Sequence, residues 1–252
     1  MSDVRAVGLK PGISACLFDL DGVLTPTARV HAQAWKKVFD EYLQARAAST
    51  GEPFRPFDEV NDYDTYVDGK PREDGVRSFL ASRHIDLPEG SEDDSPEDRS
   101  VHGLGNQKDQ AFLDLIRKNG VEPYDGSLRY VHAARDVGLR LAVVTSSRHC
   151  TEVLKAAGMF DLFDARVDGN VARAEGLKGK PAPDTYLEAA KMLGKTPAGS
   201  AVYEDSLAGV EAGRSGAFGM VIGVDRAGQS AALYERGASV VVTDLSQLLA
   251  SH

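Results

Sequence analysis

Two aspartates spaced two residues apart are the first candidates for chemistry in this sequence. Asp19 and Asp21 stand in the run FDLDGVLT, residues 18–25, directly after a continuous apolar segment. That segment predicts a buried strand, and open α/β sheets bind ligands at the carboxyl ends of their strands. A metal ion and a phosphoryl group would explain two neighbouring carboxylates, one attacking phosphorus and the other moving a proton. The same residues also suit a plain polar turn.

Three hydroxyl residues follow a second apolar segment. Thr145, Ser146 and Ser147 come at the end of the run LAVV, residues 141–144. Hydroxyl and backbone N–H groups at a strand-to-helix turn can hold phosphate oxygens. The alternative is that they only cap the next helix.

A lysine stands in a loop stiffened by two prolines. Lys180 lies in the run GKPAPD, residues 179–184, where it would serve as a fixed cation for a phosphoryl group. The run is not a P-loop, because Pro181 follows the lysine where a P-loop has Ser or Thr. A surface lysine in a turn is the alternative.

Adjacent acids end another apolar segment. Glu204 and Asp205 follow the run AVY, residues 201–203, and precede a predicted helix. Carboxylate oxygens of this kind suit Mg²⁺, which keeps some waters and is completed by substrate phosphate. The alternative is that they match the positive end of the helix dipole.

Along the chain, these segments contain an acid pair, then hydroxyl residues, then a lysine and then a second acid pair. The carboxyl ends of parallel strands share one edge of a sheet, so these side chains are expected to meet there. The order therefore predicts magnesium-dependent phosphoryl transfer with one carboxylate of the first acid pair as the covalent nucleophile.

Strands and helices that would position these residues alternate along the chain. The predicted strands are Ala15–Asp19, Leu141–Thr145, Ala165–Val167, Ala201–Glu204, Met220–Val224 and Ser239–Val242. Gly138 ends one intervening helix, and Asp184 and Ser206 are expected to be the N-caps of two others. This alternation predicts an α/β fold with a Rossmann-like parallel sheet.

The segment after the first strand has a different pattern. It predicts helices at Val30–Ala48, Glu73–Ile85 and Lys108–Asn119, no strand, and a solvated acidic loop at 89–98. We therefore predict an inserted all-helical cap domain at 28–123. Residues 1–27 and 124–252 would form the α/β core domain.

Composition excludes several classes of partner. The formal net charge of -9 disfavours nucleic acid, whose phosphates attract Lys and Arg. No stretch approaches the ~18 apolar residues of a membrane span, and residues 1–12 contain no continuous apolar run. The two cysteines, Cys16 and Cys150, suggest no disulfide framework. These features predict a cytoplasmic protein that binds neither nucleic acid nor membrane, as a monomer or weak homo-oligomer.

The sequence resembles the haloacid dehalogenase superfamily, whose four motifs occur in this order. More narrowly, it resembles the β-phosphoglucomutase-like subfamily, which carries a helical cap after the first motif. The runs that support the narrower match are DLDGVLT at 19–25, GKPAPD at 179–184 and EDSLAGV at 204–210. The resemblance covers nearly the whole chain.

This resemblance implies roles for the core residues. Asp19 would be the nucleophile and a metal ligand, and Asp21 the general acid/base, with its backbone carbonyl on the metal. Thr145 and Lys180 would hold the phosphoryl group. Glu204 and Asp205 would complete the Mg²⁺ site.

The resemblance also implies a set of substrate-binding residues. Thr27 matches the hinge between core and cap. His31 and Trp35 match a His and a Trp that lie one helical turn apart in the cap. Gly69 and Arg72 match a cap loop whose Arg binds the far phosphate of a sugar bisphosphate. Ser147 and Arg148 match a substrate-facing pair, beside Ser146. Each cap residue also has a structural alternative, as a core, surface or salt-bridge residue. Departures from the subfamily at Pro26, Gln107, Lys108 and His149 leave the substrate open.

The expected activity is interconversion of β-glucose 1-phosphate and glucose 6-phosphate, with glucose 1,6-bisphosphate as activator. A phosphatase acting on a small sugar phosphate is the main alternative, because both activities use the same core residues. A receiver-like phosphoacceptor domain without enzymatic activity is a third hypothesis, disfavoured by the large insertion and by the two acids on one strand end. A dehalogenase is disfavoured because carbon–halogen cleavage does not need Asp21.

Overall fold

A computed structural model describes residues 3–250. Residues 1, 2, 251 and 252, which the predicted core domain includes, lie outside the described residues. The chain divides into two compact units. The core unit comprises Met1–Pro26 and Val121–His252, and the helical unit comprises Thr27–Gly120. The sequence placed the limits of the insertion at 28 and 123.

A parallel sheet organises the core unit. Its strands are β1 (Ala15–Phe18), β2 (Arg140–Val144), β3 (Ala165–Val167), β4 (Ser200–Glu204), β5 (Met220–Val224) and β6 (Val240–Val242). They lie in the order β3-β2-β1-β4-β5-β6, and every neighbouring pair is parallel. The predicted α/β class is confirmed, and each predicted strand end lies within one residue of the observed end.

Burial explains why these short segments are strands. Every residue of β1, β4 and β5 is buried, as expected when helices cover both faces of a parallel sheet. The order in which the chain adds strands to the sheet reverses at β1, since β2 and β3 lie on one side of β1 and β4 to β6 lie on the other. Phe18 is in register with both Val143 and Tyr203. The chain segments that follow β1, β2 and β4 therefore leave the sheet side by side at a topological switch point.

Helices connect these strands and form the insertion. In the helical unit they are α1 (Thr27–Thr50), α2 (Arg72–Ser82) and α3 (Val101–Asn119). In the core unit they are α4 (Asp125–Asp136), α5 (Cys150–Ala156), α6 (Gly169–Ala174), α7 (Asp184–Met192), α8 (Leu207–Ser215) and α9 (Ser230–Arg236). No helix within residues 3–250 combines the length and apolar character needed to cross a membrane.

One of the two predicted N-caps is wrong. Ser206 caps α8 as expected, because its hydroxyl accepts a hydrogen bond from the N–H of Gly209 at 3.0 Å. Asp184 is instead the first residue of α7, and Pro183 occupies the N-cap position. The Asp184 carboxylate accepts a hydrogen bond from the N–H of Lys178 at 3.1 Å. It therefore braces the loop that carries Lys180 rather than capping the helix.

The helical unit is built on the packing of α1 against α3. Helix α3 begins seven residues earlier than expected, because the Ser100 hydroxyl accepts a hydrogen bond from the N–H of Gly103 at 2.9 Å and caps it. Gly103 and Gly105 are poor helix formers and weaken the pattern there. Residues 89–98 form exposed turns, which confirms the expected solvated loop.

The central strand gives a stability prediction. Leu17 of β1 is fully buried in the core cluster, so Leu17→Ala should lower the free energy of unfolding by about 2–5 kcal/mol through lost contacts and a residual cavity. Leu187 of α7 is 37% exposed, and Leu187→Ala is the matched control. Urea denaturation followed by far-UV circular dichroism measures both. Equal shifts in the two variants would contradict the assigned core.

Candidate active site

A buried ammonium group joins acids from two strands. Lys180 Nζ contacts the Asp19 carboxylate, lies 2.5 Å from Glu204 Oε1 and donates to the Val144 carbonyl at 3.3 Å. Its side chain is only 2% exposed. The N–H of Asp19 donates to the carbonyl of Tyr203 at 2.9 Å, which continues the β1–β4 pairing past the end of β1. The structure thus brings Asp19, Lys180 and Glu204 together, although 161 residues separate the first two in sequence.

The pKa values of Asp19 and Lys180 are shifted from their ordinary values in this cluster. Burial raises the pKa of Asp19 well above its ordinary value, and Lys180 opposes this effect while the charges of Glu204 and Asp21 add to it. Burial alone would lower the pKa of Lys180, but the charges of Asp19 and Glu204 raise it above its ordinary value. The lysine therefore stays protonated. One ammonium among several carboxylates leaves an excess of negative charge that a divalent cation would relieve.

Three carboxylates form a possible metal site. Asp19, Glu204 and Asp205 each offer one oxygen, and these oxygens lie within 4.8 Å of one another. Glu204 is fully buried, and its Oε2 accepts hydrogen bonds from the Ser206 N–H at 3.2 Å and hydroxyl at 2.9 Å. Tyr186, which no sequence motif indicated, donates its hydroxyl to Glu204 Oε1 at 2.7 Å. This all-oxygen donor set, with its excess negative charge, fits Mg²⁺.

The carboxylate of Asp21 is held apart from that group. Thr145 donates its hydroxyl to Asp21 Oδ2 at 3.2 Å, and the same hydroxyl oxygen accepts the N–H of Ser147 at 3.0 Å. Gly22 has φ +86, and a Cβ at this position would lie 1.7 Å from Asp205 Oδ2. Only glycine therefore lets the chain turn so closely past Asp205. Asp19 and Asp21 therefore have different hydrogen-bond partners, as two different chemical roles require.

The loop after β2 carries the remaining core residues of the expected substrate site. Ser147 accepts the N–H of His149 on its hydroxyl at 3.2 Å and the N–H of Gly169 on its carbonyl at 3.0 Å. The carbonyl of Arg148 accepts the side-chain amide of Asn170 at 2.8 Å. The start of α6 thus fixes the backbone of the loop that holds Ser146.

In the helical unit, a buried lysine lies beside His31. Lys108 Nζ of α3 is 2.6 Å from His31 Nδ1 of α1, and it lies over the rings of Phe112 and Trp35 at 4.9 and 5.4 Å. The His31 ring stacks on Phe112 with centroids 4.0 Å apart. Lys108 is one of the positions at which the sequence departs from the subfamily. Its spacing of four residues from Phe112 could have placed it on the face of α3 that packs on α1.

Arg72 lies in a second charged group of the helical unit. It begins α2, pairs with Glu73 Oε1 at 2.6 Å and contacts the Asp109 carboxylate, with a side chain only 8% exposed. Gly69, with φ +70, turns the chain ahead of α2. Thr27 is the first residue of α1. The structure thus joins Arg72 to α3 through Asp109, the neighbour of Lys108.

A family model and a close relative identify the chain. The model of the haloacid dehalogenase-like hydrolases matches residues 13–216, which include Asp19, Asp21, Thr145, Lys180, Glu204 and Asp205. The chain belongs to the haloacid dehalogenase-like hydrolase family. A β-phosphoglucomutase from Mycobacterium tuberculosis (strain CDC 1551 / Oshkosh) is 53% identical to this family member over 248 residues, or 97% of this chain and 95% of the relative. The resemblance drawn from the sequence is confirmed.

Two further similarities complete the comparison with other members of the haloacid dehalogenase-like family. A phosphorylated carbohydrates phosphatase from Thermotoga maritima is 29% identical, covering 91% of this chain and 94% of the relative. The crystal structure of a β-phosphoglucomutase from Clostridium difficile superposes with a TM-score of 0.72 at 24% identity, covering 94% of this chain and 93% of the other. The similarity to this crystal structure supports the assignment of the fold alone.

Helix α8 provides a test of the carboxylate cluster. A Cβ at Gly209 would lie 1.8 Å from Glu204 Oε1. Gly209→Ala should therefore displace this carboxylate and weaken Mn²⁺ binding by about tenfold or more, measured by electron paramagnetic resonance. Gly213→Ala, on the same helix, is the control, because the atoms nearest to its Cβ would belong to the apolar side chains of Val221 and Val202, at 3.0 and 3.2 Å. Equal Mn²⁺ affinity in the two variants would refute the role of Glu204.

Proposed function

We propose that this enzyme is a Mg²⁺-dependent phosphotransferase that converts β-glucose 1-phosphate into glucose 6-phosphate through an aspartyl-phosphate on Asp19. The observation that carries the proposal is that the two acids have different partners. Asp19 lies among Lys180, Glu204 and Asp205, while Asp21 is hydrogen-bonded by Thr145 outside that group. The 53% identity to a β-phosphoglucomutase supports the sugar phosphate substrate.

In this mechanism, Asp19 attacks the phosphorus atom in line and becomes phosphorylated. Lys180 offsets the negative charge that develops on the transferred group. Asp19, Glu204, Asp205 and the backbone carbonyl of Asp21 would hold Mg²⁺, which supplies further charge neutralisation when bound. Hydroxyl and backbone groups of Thr145 and Ser146 would bind phosphoryl oxygens.

Asp21 is the proposed proton carrier. It would protonate the sugar oxygen that leaves as Asp19 is phosphorylated, and it would take a proton from the sugar hydroxyl that attacks the aspartyl-phosphate. The Thr145 hydroxyl orients the carboxylate at 3.2 Å. Glucose 1,6-bisphosphate would act as activator because it can phosphorylate Asp19 and leave glucose 6-phosphate.

A phosphatase for a small sugar phosphate is the second candidate, and the similarity to a phosphorylated carbohydrates phosphatase favours it. Water would then take the place of the sugar hydroxyl. The 53% identity to a β-phosphoglucomutase favours the mutase, which must also hold a second phosphate group, and Arg72, which pairs with Glu73 and Asp109, is the residue proposed to bind it. The non-enzymatic receiver-like alternative is disfavoured by the family match and by the helical unit.

Product analysis tests the activity directly. With β-glucose 1-phosphate, Mg²⁺ and a trace of glucose 1,6-bisphosphate, the wild type should form glucose 6-phosphate. Asp19→Asn should form none, because the amide lacks the charged nucleophile. Far-UV circular dichroism of the variant should remain that of the wild type. Release of inorganic phosphate alone would replace the mutase by the phosphatase, and turnover by Asp19→Asn would remove the covalent mechanism.

Arg72 should distinguish mutase from phosphatase. Arginine binds phosphate with a planar fork, and binding energy at a remote phosphate can lower the barrier of the chemical step. Arg72→Ala should cut glucose 6-phosphate formation by about 10²-fold, as expected from ~3 kcal/mol for a charge-assisted contact. Hydrolysis of acetyl phosphate, which has no second phosphate, should change far less.

Arg77 provides the matched control on the same helix. Its side chain is 45% exposed and pairs with Asp74 and Glu89, so Arg77→Ala also removes ion pairs of α2. It should leave both activities near the wild-type level. Equal losses of mutase activity in Arg72→Ala and Arg77→Ala would reduce Arg72 to a structural role. Equal losses of both activities in Arg72→Ala would contradict its role as a second phosphate site.

A further inference from the structure

The loop that follows β5 is ordered by its own hydrogen bonds. Asp225 Oδ1 accepts the N–H groups of Ala227, Gly228 and Gln229 at 3.2, 2.7 and 2.9 Å. Its other oxygen accepts the hydroxyl of Ser230. None of the roles assigned above involves this loop, the 225–229 loop. Two longer side chains of the loop, those of Arg226 and Gln229, make hydrogen bonds to other segments.

Arg226 is held on three sides. Its Nε donates to the carbonyl of Gly22 at 2.8 Å and its Nη1 donates to the carbonyl of Thr243 at 2.7 Å. The guanidinium lies 3.8 Å from the centroid of the Tyr124 ring. Because a guanidinium is planar and forked, it can serve two carbonyls while stacking on a ring, which a lysine ammonium cannot do. The contact therefore pins the backbone of the turn that follows Asp21.

Gln229 makes the equivalent contact to the other acidic segment. Its side-chain amide donates to the backbone carbonyl of Asp205 at 3.2 Å. The two segments held in this way also touch each other, because a Cβ at Gly22 would lie 1.7 Å from Asp205 Oδ2. A shift of either backbone would consequently change the spacing between Asp21 and Asp205.

We propose that Arg226 and Gln229 are positioning residues that set this spacing from the 225–229 loop. The proposal rests on the proposed function of Asp205 as a metal ligand and of Asp21 as the proton carrier. Neither Arg226 nor Gln229 needs to touch the substrate. Their role is to hold two backbone carbonyls so that the acids of two separate motifs keep one geometry.

The direction in which metal affinity changes when Arg226 is replaced distinguishes a positioning role from a purely electrostatic one. A positive charge near a cation site disfavours the cation, so removing the charge of Arg226 would tighten metal binding if electrostatics alone mattered. Loss of positioning would weaken it instead. Arg226→Lys keeps the charge and loses the fork, so it isolates the geometric contribution.

Mn²⁺ titration followed by electron paramagnetic resonance tests the proposal in the full-length protein. Arg226→Met and Arg226→Lys should raise the Mn²⁺ dissociation constant by about tenfold, the usual effect of losing a group that orients metal ligands. Gln229→Met, which removes one hydrogen bond, should raise it less. Arg236→Met is the control, since Arg236 pairs with Glu211 on the exposed surface of the same unit. It should bind Mn²⁺ as the wild type does.

Unchanged or tighter Mn²⁺ binding by Arg226→Met, with its circular dichroism spectrum intact, would overturn the proposal. If Arg226→Met does not fold, Gln229→Met decides, and a wild-type Mn²⁺ affinity in that variant overturns it. A wild type that binds Mn²⁺ but forms no glucose 6-phosphate would refute the mutase and leave the positioning role standing. A wild type that does not bind Mn²⁺ would overturn the metal site and the positioning role together.

Discussion

The ion pairing of Lys180 with Asp19 and Glu204 is the interaction on which the site depends. All three groups are buried, and removing charges from water costs several kcal/mol for each ion unless partners compensate. The ammonium lowers the pKa of Asp19 against the effect of burial, and the charges of Asp19 and Glu204 in turn raise the pKa of Lys180. Breaking one member leaves an uncompensated buried charge. The cluster is therefore a unit, which the protein can maintain only by fixing β1, β4 and the Lys180 loop together.

The parallel sheet provides that fixation. Reversal of the strand order at β1 places the ends of β1 and β4 next to each other, so that Asp19 and Glu204 meet without any local sequence relation. Helix α8 then packs Gly209 directly against Glu204, and Gly22 lets the first motif turn past Asp205. Close packing thus sets the positions of the acids, and the glycines are needed because any side chain there would occupy the space of a carboxylate oxygen.

Burial and hydrogen bonding also differ between the two acids of the first motif. Asp19 lies deep beside a cation, whereas Asp21 lies in a turn and receives the Thr145 hydroxyl. Two carboxylates two residues apart therefore have different environments, which is the general condition for one to be a nucleophile and the other a proton carrier. In the proposed function, the same core residues would serve transfer to a sugar or to water.

The sequence by itself determined the strands and the four motifs, because apolar runs ending in acids, hydroxyls or lysine are local signals. It could not reveal Tyr186 as a partner of Glu204, Lys108 beside His31, or Arg226 behind Gly22, since those contacts join residues 18, 77 and 204 positions apart. It also misplaced the start of α3 and the role of Asp184, where a serine cap and a loop contact outweighed local propensity. Only tertiary packing decides such pairings, because it sets which polar groups find partners once water is excluded.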